Sequence, residues 1–241
     1  MKNCSKDSKS NDQFVLHGKP ATDSGLYPWA LGALGKSILF YAEASELENN
    51  KPVKIISGYY TIFHLSIFLM FAAPKLLSLK ERKAINDKLR GGSEDPSPAI
   101  KHMCVEEFLK RCSEAGLSLK IPELFKEMKK SREFVNYGPR VRWVKDSIFI
   151  NTCEVDLNEI DDLIGKLKDS FISAIDWICS IGSDNGVWIP IILEQTAEFF
   201  NKTIGFYKGW IPENVRQEAE SLRGQLYEIA LKKVYEKGRQ K

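Results

Sequence analysis

The sequence predicts an all-α protein, and three observations carry that expectation. Apolar residues recur at the three-and-four spacing of a helix face along most of the chain. Gly- and Pro-containing breaks separate these runs, as helix termini require. Only one stretch, RWVKDSIFINTCEVD, has the β-branched, alternating character of a strand pair or an extended connection. The chain has 241 residues, 43% hydrophobic and 28% charged, the make-up of an ordinary globular protein with a substantial core.

Each element has its own signal. The polar, Lys/Ser-rich start MKNCSKDSKSNDQ has no apolar signal-peptide run and reads as a disordered tail over residues 1–20. Residues 26–48, rich in Leu, Ala and Phe, predict an amphipathic helix ending at NNKP. A long apolar helix follows from about 53 to 73. Pro74 breaks it, and KLLSLKERKAINDKL resumes helical character up to RGGSEDPSP, the clearest loop in the chain. A third major helix is expected over about 98–114, stopping at EAGLS. A fourth runs from about Pro122, suited to a first turn, to about Tyr137, where YGP terminates it. After the extended stretch, the capping pattern Asp156, Leu157, Asn158, Glu159 opens a fifth helix that continues to about Ile181. GSDNG is a turn, and two further helices broken at GWIPEN complete the chain, the last with alternating charge on a solvent-facing side. The expected organisation is a bundle of four to five helices over residues 21–183 and a C-terminal helical extension over 184–241. No internal repeat is visible.

The stretch Ile55–Ala73 carries no Asp, Glu, Lys or Arg and approaches the length of about 20 residues that a bilayer needs. Ser57, Gly58, Thr61, His64 and Ser66 make it polar for a lipid-facing helix, and a helix apolar all round also suits the centre of a bundle. A buried core helix is the expectation and no membrane contact is foreseen, with membrane anchoring through residues 55–73 as the alternative. Five cysteines without CxxC or zinc-ligand spacing read as free thiols of the cytoplasm, and neither a metal nor a cofactor is indicated. A net charge of +3 restricts any nucleic-acid surface to a local patch. RGGSEDPSP lacks the Lys-Ser/Thr of a phosphate-binding P-loop.

That patch is found at KEMKKSREFVNYGPRVRWVK. Lys129, Lys130, Arg140, Arg142 and Trp143 combine positive charge with an aromatic ring, suited to a phosphate backbone and a stacked base, although Glu127 and Glu133 dilute the charge. Arg132 falls on the apolar stripe of Ile121, Leu124, Phe125, Met128 and Val135. A guanidinium there cannot escape burial by losing its proton, so it pairs with a carboxylate such as Glu106 or Glu107, lines a polar cleft, or faces another subunit. His64 shares a stripe with Tyr60, Phe68 and Phe71 and reads first as a hydrogen-bonded core histidine.

SGYYTIFHLSIFLMF, with Tyr59, Tyr60, Phe63 and His64, resembles the tyrosine-pair and Phe-His signature on an early helix of HEPN domains (higher eukaryotes and prokaryotes nucleotide-binding). His102 in IKHMCVEEFLKRC and the following LFKEMKKSREFVNYG are similar to the later part of that pattern, and the resemblance covers roughly residues 25–180. It implies a small all-α bundle that dimerises, here as a homodimer or with a hetero-partner through the 122–137 helix. It also implies a toxin–antitoxin or antiviral setting, in which many prokaryotic members act as ribonucleases. The family's nuclease motif is an arginine and a histidine with four to six residues between them. Arg132 matches the arginine, while Tyr137, Gly138 and Pro139 stand where the histidine would be. The resemblance therefore implies a non-catalytic module binding RNA, a nucleotide or a protein partner. The alternative is an active ribonuclease in which Arg132 works with Tyr137 or His64; a phenol of ordinary pKa near 10 is badly matched to proton abstraction at neutral pH.

Overall fold

The computed structural model describes residues 27–47, 50–90, 102–137, 140–144, 147–151, 159–181, 185–206 and 211–239. Among them are eight helices, α1 (Tyr27–Glu46), α2 (Lys51–Ala72), α3 (Leu79–Arg90), α4 (His102–Glu114), α5 (Lys120–Tyr137), α6 (Ile160–Ser180), α7 (Asn185–Phe206) and α8 (Glu213–Arg239). A 3-10 turn at Pro74–Leu76 separates α2 from α3, and a hairpin of β1 (Arg140–Val144) and β2 (Ser147–Asn151) lies between α5 and α6. Among the described residues the regular structure is thus helical apart from that hairpin. The expected strand pair is present, starting two residues before the stretch that suggests it, with Arg140 opposite Asn151 and Val144 opposite Ser147 in antiparallel register. Val and Trp in β1 and Ile and Phe in β2 favour a pleated backbone. The expected N-terminal tail and the start of the fifth helix at Asp156–Asn158 lie outside the described residues.

Helix α2 is the axis of the fold. It starts at Asn50, whose side chain accepts from Val53 N, and has Pro52 in its first turn. From Ile55 onward its apolar stretch is mostly buried, by α1 on one side and by α5 and α6 on the others. It is also the one described helix long and apolar enough to cross a membrane. The small polar residues within it are absorbed by the helix and its neighbours. Thr61 and Ser66 donate to the carbonyls of Ser57 and Ile62 one turn back, Ser57 donates to Glu43 of α1 at 2.7 Å, and Ser37 of α1 donates to the carbonyl of Thr61. Such pairing removes the penalty of burying hydroxyls and leaves the helix apolar in effect.

The C-terminal helices share this core. Ile189, Ile192, Leu193 and Phe200 of α7 and Val215, Ala219, Leu222, Leu226 and Ala230 of α8 join the same buried cluster as Leu34, Phe68 and Phe171. Two lysines fasten α8 to α6: Lys233 pairs with Asp176 at 2.8 Å, and Lys237 donates to the carbonyls of Cys179 and Ser180, where the helix dipole favours a cation.

At the other end, Ser78 and Glu81 form a capping box at the start of α3. Ser78 N donates to the Glu81 carboxylate and Glu81 N to the Ser78 hydroxyl. Arg111 of α4 then pairs with the buried Glu81 and donates to the carbonyl of Leu76, tying the turn, α3 and α4 together. Gly116, in the left-handed region at φ +95°, ends the α4 turn as EAGLS suggests.

Candidate functional site

The stripe on α5 is real. Ile121, Leu124, Phe125 and Met128 are buried, while Val135 and Arg132 are half-buried at its C-terminal end. What brings Arg132 to its place is the crossing of α5 over α2 at Gly58. A Cβ on Gly58 would lie 2.5 Å from Met128 Cε and 3.0 Å from Ile164 Cδ1, so glycine permits the close approach. Arg132 follows Met128 by one helical turn, and Tyr59 follows Gly58 directly. The guanidinium consequently comes to rest 5.0 Å from the centre of the fully buried Tyr59 ring.

This contact satisfies the charge only in part. Glu106, a carboxylate the sequence offers to Arg132, instead accepts from Lys129 at 2.5 Å. Among the described residues no carboxylate pairs with Arg132, and its Nε is buried without a hydrogen-bond partner. A desolvated guanidinium donor left unmatched costs about 1–3 kcal/mol, which the cation–π contact of about 1–2 kcal/mol only offsets.

Aromatic rings extend from this point. Tyr59 stacks on Phe63 at 5.9 Å, and Phe63 meets His64 edge-on at 5.6 Å. His64 in turn lies parallel to Phe40 of α1 at 5.6 Å and 1°, and Phe40 stacks on Tyr60 at 5.4 Å. Phe40, Tyr60, Phe63 and His64 are all half-buried, so the string of rings is partly open to solvent. Burial is the main influence on the Tyr59 phenol and pushes it far above its ordinary value, against the smaller opposing pull of Arg132. Tyr59 therefore stays a neutral phenol at physiological pH and is no base.

The structure thus brings Arg132 and His64 to the two ends of one aromatic string joined by Tyr59 and Phe63. Lys129 sits on the same helix but is spent on Glu106, whereas Lys130 is exposed. The backbones of Tyr137 and of Arg140, Arg142 and Trp143 end α5 and form β1; their side chains lie outside the described residues. Two contributors escape sequence reasoning, Gly58 as the crossing point and Phe40 as the stacking partner of His64. A glycine in the middle of an apolar helix is the signal for the first; nothing in the local pattern distinguishes Phe40 from its apolar neighbours on α1. Among the described residues no group of three or more His, Cys, Asp or Glu side chains is placed to hold a metal. Comparisons with protein-family models, with curated proteins and with solved structures give no match for this chain.

Proposed function

We propose that this chain is a HEPN-like helical module that binds single-stranded RNA without cleaving it, with Arg132 as a phosphate contact and the half-buried rings of Tyr60 and Phe63, both packed on Tyr59, as a stacking surface. The observation that carries the reading is the state of Arg132: a guanidinium fixed over Tyr59, unpaired by any described carboxylate, with Nε desolvated and unmatched. With no described carboxylate to neutralise it, the half-buried guanidinium keeps its charge for a phosphate, and charge-assisted hydrogen bonds to guanidinium are among the strongest available to a side chain. Bases stack on aromatic rings with little regard to sequence, so the expected ligand is unpaired RNA of low sequence specificity.

Cleavage needs a base for the ribose 2′-hydroxyl as well as positive charge for the transition state. Arg132 supplies the second. Tyr59, the ring nearest to it, is held neutral by burial, and His64 is packed between aromatic rings at the far end of the string. The test is to incubate a labelled single-stranded RNA with purified protein in EDTA and to follow binding and products in one gel series. A retarded, intact RNA is the expected result. Cleavage products that vanish in both Arg132→Ala and Tyr137→Phe, with the fold retained, would replace the binding module by a ribonuclease.

A further inference from the structure

The outer face of α8 is built unlike the rest of that helix. Leu231 is 38% and Tyr235 69% exposed, four residues apart and hence on one side of the helix. With Glu228, Lys232, Glu236 and Arg239 they line a shallow open groove of about 320 Å³. Arg239 lies over the Tyr235 ring at 5.2 Å, which fixes the ring in its exposed position. Opposite this face, Leu226 and Ala230 are buried, and Lys233 and Lys237 hold the helix on α6. Among the described residues Glu228, Lys232 and Glu236 form no ion pair, so the face presents two acidic and two basic groups around an apolar centre.

We propose that this face binds a second copy of the chain, with the two α8 helices antiparallel about a two-fold axis between Lys233 and Val234. Seven and eleven residues are close to two and three helical turns, so Glu228, Tyr235 and Arg239 fall on one line along the helix. Antiparallel pairing about that axis sets Glu228 of each chain against Arg239 of the other and Lys232 beside Glu236, with Leu231 and Tyr235 closing the centre. Every charge on the face then meets its opposite. A parallel arrangement would set Glu228 on Glu228 and Arg239 on Arg239. The equal number of acidic and basic groups disfavours nucleic acid and an anionic membrane as occupants, since both select for an excess of positive charge. A two-fold contact of identical faces is the usual way that homo-oligomers close.

A single helix face covers less than the roughly 1,200–2,000 Å² of a stable interface, so the association is weak and falls with added salt. Sedimentation velocity of the full chain from about 1 to about 100 µM tests it. The wild type is expected to move from monomer to dimer over that range. Glu228→Arg and Arg239→Glu, each of which sets like charges against each other across the axis, should both remain monomeric. An equimolar mixture of the two variants should associate again, because every pair between unlike chains is then complementary. Tyr235→Ser should weaken the dimer at least tenfold with unchanged circular dichroism. A monomeric wild type at every concentration, association that both charge variants retain, as an interface through α5 would, or a mixture that stays monomeric would each overturn the proposal.

Discussion

Replacing Arg132 by methionine separates a residue held for binding from one held for folding. Methionine keeps most of the length and apolar bulk of the arginine stem but carries neither charge nor donor. Two terms then act in opposite directions. Loss of the cation–π contact with Tyr59, 5.0 Å away, costs about 1–2 kcal/mol, while relief of the buried, unmatched Nε returns about 1–3 kcal/mol. The net change expected lies between about 1 kcal/mol of destabilisation and about 2 kcal/mol of stabilisation. Arg111→Met is the matched control. That arginine is paired with Glu81, which is 5% exposed, so its removal strands a buried carboxylate and should cost about 3 kcal/mol or more. Urea unfolding followed by circular dichroism gives both values from the shift of the midpoint at constant slope. A loss of 3 kcal/mol or more for Arg132→Met, matching Arg111→Met, would mean that Arg132 is one half of a structural ion pair, and the functional reading would fall.

Three further outcomes follow from the packing and the thiols. Phe171→Ala, at a fully buried ring edge-on to Tyr41, should lower stability by about 3–5 kcal/mol in the same urea assay; less than 1 kcal/mol would place that ring outside the core. Gly58→Val should cost about 1–3 kcal/mol through overpacking against Met128 and Ile164 and, by lifting α5, should weaken RNA binding alongside stability; unchanged binding would show that the crossing does not set the site. Burial raises the Cys112 thiol to about 12 and the Cys179 thiol to about 11, from an ordinary value of 9.0. The unfolded chain therefore loses these protons first, so their contribution is fully present below about pH 9 and declines as pH rises toward 11 and 12, by up to about 1.4 kcal/mol per pH unit for each thiol. Both thiols should also resist a disulfide reagent at pH 8 until the protein is unfolded; rapid reaction of the native protein would contradict their burial.

Much of this fold is legible in single residues because the signals are local. Asn50 with Pro52 and then Pro74 mark the two ends of α2, Gly116 ends α4, and the β-branched run after Tyr137 marks the hairpin. The α5 stripe places Arg132 at the edge of the core by helical period alone. What the sequence does not show is how helices meet. Glu106 of α4 is an apparent partner for Arg132 until the packing of α4 on α5 gives it to Lys129, and neither helix's own pattern shows which of the two it meets. The sharing of one core by α7 and α8 is equally a matter of packing. An amphipathic pattern says that Ile189, Leu193, Leu222 and Leu226 are buried, but not against which neighbour.

The most direct measurement of the central claim is the fluorescence anisotropy of a labelled single-stranded RNA titrated with wild-type protein and with Arg132→Met at several salt concentrations. A phosphate contact at Arg132 predicts binding by the wild type, a loss of about tenfold or more in the variant, and a log–log salt dependence lowered by about 0.7, the value of one phosphate contact on a single strand. Equal affinity and equal salt dependence of the two proteins, or no binding by the wild type, would contradict it.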